Sequence, residues 1–148
     1  MNKKIIVNKF GGGILKKELI PFIEQRLKEQ LKNNYQPIVV VSALPQVTDE
    51  LLSFLGKIKN PKNSTNLIQK FIKELSNKHT EALKNLGCKK ECIENIKIDL
   101  DKLFFELEVA LSDFALSGPS NKAEDKIITY GEKLSATIFS KYFNCIGM

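Results

Sequence analysis

Arginine is nearly absent from this sequence. Arg26 is the only arginine among 23 basic residues, although the net charge is +6. Arginine is the side chain best suited to binding phosphates and guanine bases through paired hydrogen bonds. The lysines are instead interspersed with glutamates along stretches of helical periodicity, which is typical of solvated helix faces. We therefore expect no nucleic-acid partner.

Long apolar runs and sets of metal ligands are also missing. No run approaches the roughly 20 apolar residues that cross a bilayer, and Ile5–Val7 is too short for the core of a signal peptide. The three cysteines are odd in number, which does not fit a secreted disulfide framework. Together with the single His79, they form no recognisable zinc pattern. These absences predict a cytoplasmic protein with free thiols, no metal site and no membrane partner.

The hydrophobic periodicity that is present indicates an α/β protein. Residues 4–9 and 37–42 are short apolar runs typical of buried parallel strands, the second of them apolar on both faces. The amphipathic pattern from Ile14 to Leu31 predicts a helix that follows the glycine turn and ends at Asn33, with Pro21 within its first two turns. Strand, helix and strand form a βαβ unit, so the two strands should be parallel neighbours.

The hydrophobic periodicity of the remaining sequence predicts helices. The expected helices are 48–59, 65–86, 90–115 and 122–142. Thr48 is a candidate N-cap of the first of these, and 60–64 should be a loop. The second and third form a long helical hairpin. His79, on the apolar side of its helix, is interpreted as a histidine at the boundary of the core. The fold class is a partial α/β/α sandwich, a short parallel sheet with a helix-rich remainder, in one domain over 1–148.

A lysine and three glycines follow the first strand, as Lys9 and Gly11-Gly12-Gly13. Glycines let backbone N–H groups approach phosphate oxygens closely, and the lysine adds a mobile positive charge. The pattern matches neither a Walker A loop nor G-x-G-x-x-G, and three glycines also suit a simple turn. Ligands bind beyond the carboxyl ends of parallel strands, so hydroxyls of Ser42 and Thr48 could reach the same ligand.

Gly131 interrupts the last helical pattern. A glycine within a helix costs about 1 kcal/mol relative to alanine, so a reason for it is expected. Close approach of a ligand or of another backbone is one such reason. Glu132 beside it is either a binding carboxylate or an ordinary surface residue.

Three of these segments together resemble the aspartate kinases, a branch of the amino-acid kinases. Lys9-Phe10-Gly11-Gly12 is similar to their K-F-G-G motif, residues 39–43 with Thr48-Asp49 are similar to V-V-V-S-A…T-D, and residues 131–136 are similar to G-E-x-L-S-A. Order and spacing also match. The resemblance covers nearly the whole chain but only the N-terminal part of the family's catalytic domain, which is an α/β/α sandwich.

The resemblance implies transfer of the γ-phosphoryl group of MgATP to the side-chain carboxylate of L-aspartate, the first step toward lysine, threonine and methionine. Lys9 would neutralise the transferring phosphoryl group, and Glu132 would pair with the α-ammonium group of aspartate. The implied phosphate site is Lys9, Gly11, Gly12 and Gly13, and the implied aspartate site is Ser42, Ala43, Thr48 and Glu132. Mg²⁺ would arrive with the nucleotide. Without the rest of the domain, this fragment is expected to be inactive and, with an uncovered apolar face, to self-associate.

One departure from the family pattern keeps a second hypothesis open. Gly13 and Ile14 stand where aspartate kinases normally have two hydroxyl residues, which removes side-chain contacts to phosphate or substrate. The alternative function is therefore a non-catalytic helical binding module derived from an amino-acid kinase.

Overall fold

The computed structural model describes residues 3–14, 18–58 and 64–148. The expected loop at 60–64 lies outside these residues except for Ser64, which begins a helix. The helices are α1 (Ile20–Lys32), α2 (Val47–Lys57), α3 (Ser64–Lys84), α4 (Lys90–Ser117), α5 (Asn121–Ile128) and α6 (Tyr130–Cys145). Pro21 lies in the first turn of α1, where a missing N–H costs nothing.

Strands β1 (Lys4–Phe10) and β2 (Tyr35–Val41) pair in parallel, with Lys9 opposite Val40. The backbone N–H of Ser42 donates to the carbonyl oxygen of Phe10 at 3.2 Å. The predicted βαβ unit and the shared carboxyl edge of the two strands are therefore confirmed.

One face of the sheet is packed against helices, whereas the other is exposed. Asn8 is buried and exchanges side-chain hydrogen bonds of 2.9 Å with Gln30 of α1. On the other face, Ile5 and Val7 are 65% and 62% exposed. Ile38 and Val40 of β2 are also exposed. The expectation that β2 is buried on both faces is wrong for the described residues, because helices pack on only one of its faces.

The core is built on α4, which packs against α3, α5 and α6. Phe114, Leu107 and Leu111 on its inner side are almost completely buried. The helical hairpin of α3 and α4 is confirmed, and the ring of His79 meets the ring of Phe104 edge-on. The parallel sheet and the helix-rich remainder confirm the predicted fold class.

Thr48 is not the N-cap of α2. The helix begins one residue earlier, at the completely buried Val47, and the cap position is Gln46. Gln46 has a φ of +69°, a left-handed conformation that few residues other than glycine adopt. The apolar contact of Val47 with the core sets the start of α2, so a hydroxyl at position 48 lies inside the helix.

The predicted single helix over 122–142 is two helices. Thr129 separates α5 from α6, and its hydroxyl donates to the carbonyl oxygen of Lys126 at 2.7 Å. A hydroxyl bonded to a nearby carbonyl competes with the helical pattern. Gly131 is therefore in the first turn of α6 rather than in the middle of a helix.

The cysteines are not all free. Cys92 of α4 and Cys145 at the end of α6 form a disulfide, whereas Cys88 is a free thiol. The paired residues are 53 positions apart in sequence, and the fold brings their Cα atoms to 6.1 Å. Sequence spacing cannot reveal such a pair, because it depends on how two distant helices pack.

Candidate functional site

The carboxyl edge of the sheet carries the predicted phosphate residues. Lys9 is exposed and lies on the same face as Ile5 and Val7, because alternate residues of a strand point the same way. Ser42 follows directly after β2 at the same edge and is half-buried. The structure thus brings Lys9 and Ser42 to one edge, as predicted, with the Lys9 side chain on the open face.

Of the three glycines, Gly12 is the one that the packing requires. A Cβ atom built on Gly12 would overlap the carbonyl oxygen of Ala43, whereas one built on Gly11 or Gly13 would meet nothing within 4 Å. The missing side chain of Gly12 lets the glycine turn lie directly against the loop that follows β2.

The second glycine motif meets the same loop. A Cβ atom on Gly131 would lie 2.9 Å from the Cβ atom of Ala43 and 3.2 Å from Cγ1 of Val47. Gly131 is buried. The close approach at Gly131 is therefore made by side chains of the loop and of α2, whereas the sequence predicted a ligand or another backbone.

A cavity of about 260 Å³ opens beside the glycine turn. We call it the glycine-turn cavity. Gly12, Gly13 and residues 44–46 form one wall. The opposite wall is one face of α3, with Lys78, Glu81, Ala82 and Asn85.

Lys78 is held in place at the rim of this cavity. Its Nζ atom donates to Oε1 of Glu50 on α2 at 2.7 Å, and both side chains are partly exposed. The sequence motifs gave no signal for Lys78. Only the helical spacing of positions 78, 81, 82 and 85 places these residues on one face.

Glu132 lies in a different hollow. This hollow has a volume of about 460 Å³ and is lined by residues 39–41 of β2 and by α6, including Glu132 and Phe139. Thr48, half-buried in the first turn of α2, lines neither hollow. Their neighbours in sequence do meet, because a Cβ atom on Gly131 would lie 3.2 Å from Cγ1 of Val47.

His79 is a core residue rather than part of the site. It is completely buried, and its Nδ1 atom lies 2.7 Å from the carbonyl oxygen of Leu75. Desolvation lowers its pKa from the usual 6.5. The ring is therefore neutral, with Nδ1 as the donor and, among the described residues, no partner for Nε2.

The described residues also lack two other kinds of feature. No three or more His, Cys, Asp or Glu side chains cluster in a way that could hold a metal ion in the ranges 3–14, 18–58 and 64–148. Nor does any helix of those ranges have the length and apolar character to span a membrane.

A model of the amino acid kinase family matches residues 4–148. The chain belongs to this family. The chain is also similar to a solved structure, aspartokinase III of E. coli in complex with aspartate and ADP in its R-state, with a TM-score of 0.70 and 18% sequence identity. The similarity covers 96% of this chain but 29% of that one, so the chain spans less than a third of that protein's length.

In this amino acid kinase chain, the three motif segments meet at one residue. Gly12 lies against the carbonyl oxygen of Ala43, and Gly131 lies against its Cβ atom. Sequence reasoning identified all three segments but not their meeting point, because the contact depends on where α6 packs.

Proposed function

We propose that the protein containing this chain is an aspartate kinase, which transfers the γ-phosphoryl group of ATP to the side-chain carboxylate of L-aspartate. The observation that carries the proposal is the meeting of the three motif segments at Ala43. The segments around Gly12, Ala43 and Gly131 are distant from one another in sequence, yet they pack together without room for an additional methyl group on either glycine. The E. coli neighbour, whose structure contains aspartate and ADP, supports the same reading through its fold.

In this proposal, the carboxyl edge of the sheet handles the phosphoryl group. Lys9 neutralises charge on the group in transfer, and the glycines at 11–13 let backbone N–H groups approach it. Phosphoryl transfer depends mainly on positioning and charge neutralisation. Mg²⁺ enters with the nucleotide, and no described residue is assigned to it.

Aspartate recognition is assigned to Ser42, Ala43, Thr48 and Glu132, with Glu132 as the partner of the α-ammonium group. Glu132 is exposed and lines the hollow beside β2, so its carboxylate is accessible to a ligand. The proposed setting is the cytoplasm, in the biosynthesis of amino acids derived from aspartate, with small-molecule substrates as the partners.

An assay of ADP release with ATP, Mg²⁺ and L-aspartate tests the proposal on the complete polypeptide. Lys9→Ala should lower kcat by about 10²-fold or more, because an electrostatic contact to the transition state is lost. Lys4→Ala, which removes a lysine at the other end of the same strand, is the matched control and should change little. Equal effects of the two substitutions would contradict the role of Lys9.

The substrate role of Glu132 has a separate readout. Glu132→Gln should raise the KM for aspartate by about tenfold or more while leaving the KM for ATP nearly unchanged, because a charged contact to one substrate is lost. The 148-residue chain alone should release no ADP. Aspartate-dependent turnover by that chain, abolished by Lys9→Ala, would show that the catalytic machinery is complete within it.

A further inference from the structure

We propose that the glycine-turn cavity is a binding site for a free α-amino acid, separate from the hollow that Glu132 lines. Lys78 receives the carboxylate of the ligand, and Glu81 receives its ammonium group. This inference goes beyond the proposed phosphoryl transfer and does not depend on it, because the charged contacts come from Lys78 and Glu81 and the ligand binds without nucleotide. Gly12 and Gly13 line this cavity as well as belonging to the proposed phosphate site.

The size and walls of the cavity suit a small molecule with an apolar part. Its volume is about 260 Å³, whereas pockets for drug-sized ligands usually begin at about 300 Å³. Leu44, Pro45 and Ala82 supply apolar walls. An amino acid with a small uncharged side chain can place that side chain against these residues.

The charges at the rim match both ends of a zwitterion. Lys78 and Glu81 are three positions apart on α3, so they project from the same side of the helix. Lys78 is already fixed by Glu50 at 2.7 Å, which reduces the conformational freedom that binding must remove. Glu81 makes no ion pair with any residue that the structure describes, so its carboxylate can accept an ammonium group. A simple anion would leave Glu81 facing a like charge.

The wall opposite α3 is preorganised. The turn at Gly12 is packed against Ala43. Gln46, whose side chain lines the same cavity, holds a left-handed backbone with φ of +69°. Such conformations in residues other than glycine persist only where the surrounding structure determines them, and they cluster at binding sites.

The test is ligand-observed NMR on the complete polypeptide without nucleotide, with L-valine as the probe. 3-Methylbutanoate is valine without its ammonium group, and 2-methylpropylamine is valine without its carboxylate. Each should bind at least about tenfold more weakly than valine, because each leaves one charged contact unmade. Equal binding of all three compounds, or no saturable binding of valine, would overturn the proposal.

Substitutions locate the site. Lys78→Met and Glu81→Gln should each weaken valine binding by at least about tenfold, whereas Lys84→Met, on the same helix but outside the cavity, should not. Lys78→Gln, which keeps a polar side chain at the rim but removes the charge, is the second variant if Lys78→Met disturbs folding, and it should weaken valine binding by a similar factor. Loss of valine binding in Glu132→Gln, with Lys78→Met and Glu81→Gln unaffected, would place the ligand in the other hollow and overturn the assignment.

Because these titrations contain no ATP, their result is independent of phosphoryl transfer. A protein that binds valine through Lys78 but releases no ADP would refute the kinase proposal alone. A protein that phosphorylates aspartate but ignores Lys78→Met and Glu81→Gln in the binding assay would refute this site alone.

Discussion

Small residues decide how closely the chain segments at Ala43 can approach one another. Gly12 lies against the carbonyl oxygen of this residue and Gly131 against its Cβ atom, and a methyl group at either position would collide with it. The sequence indicated that Gly131 needed a reason and that Gly12 belonged to a turn. It could not show that both contact the same residue, because that depends on the docking of α6 against the start of α2.

Gly131→Ala should destabilise the protein by about 1–3 kcal/mol, because the added methyl group overpacks the contact with Ala43 and Val47. Gly56→Ala in α2 is the matched control. A Cβ atom there meets nothing within 4 Å, and alanine favours a helix, so stability should rise by up to about 1 kcal/mol. Urea unfolding of the two variants provides the comparison, and a shift of the same sign in both would contradict the packing role of Gly131.

His79 should make stability depend on pH near neutrality. Burial lowers its pKa in the folded state below 6.5. As the pH falls through about 6.5, the unfolded chain binds a proton that the folded chain resists, so the free energy of unfolding decreases, by at most about 1.4 kcal/mol per pH unit. Unfolding measured from about pH 7.5 to about pH 5.5 should show this loss. His79→Leu should flatten the curve, and an unchanged slope in that variant would assign the effect to other groups.

Helices and strands could be predicted from periodicity, but several of their ends could not. The apolar spacing located α1 to α4 within a few residues, apart from the start of α1. It missed the cap of α2, which is Gln46 rather than Thr48, and the division at Thr129, because buried Val47 and a hydroxyl–carbonyl bond determine these points. Periodicity reports which face of a helix is buried, whereas its ends follow from local hydrogen bonds and from packing.

Ser120 should be the residue that fixes the start of α5. Its Oγ atom accepts a hydrogen bond from the backbone N–H of Ala123 at 3.3 Å. Ser120→Ala should lower the free energy of unfolding by about 1 kcal/mol, and Ser120→Asp should retain the cap. Ser117→Ala, at the last residue of α4, is the control, and thermal unfolding of the variants provides the comparison. If Ser120→Asp lowered the free energy of unfolding as much as Ser120→Ala does, the stabilising effect of Ser120 would not come from capping.

At the scale of the molecule, the disulfide ties the end of α6 to the beginning of α4. Composition predicted free thiols because an odd, small number of cysteines gives no framework to recognise. At the candidate site, the sequence predicted that Lys9 and Ser42 share one edge of the sheet, which the strand pairing confirms. Lys78 and Glu81 carry no sequence signature, and only the fold places them across a cavity from the glycine turn.

Reduction of the disulfide should lower the free energy of unfolding by about 4 kcal/mol. This value is the loss of unfolded-chain entropy expected when a disulfide links two residues 53 positions apart. Denaturant unfolding with and without reductant measures the difference. Cys88→Ser should leave the effect intact, whereas Cys92→Ser should abolish it. If reductant left the unfolding midpoint of the unmodified protein unchanged, the link would not contribute to stability.

The one-sided sheet has a consequence for the order in which the protein opens. The backbone N–H groups of β1 depend on pairing with β2 and on a single covered face, whereas those of α4 lie in the centre of the helical core. Segments with few buried contacts exchange their amide hydrogens through local opening, and core segments exchange only through global unfolding. The glycine turn directly follows β1 along the chain. Deuterium should therefore enter β1, including the edge that carries Lys9, long before it enters α4.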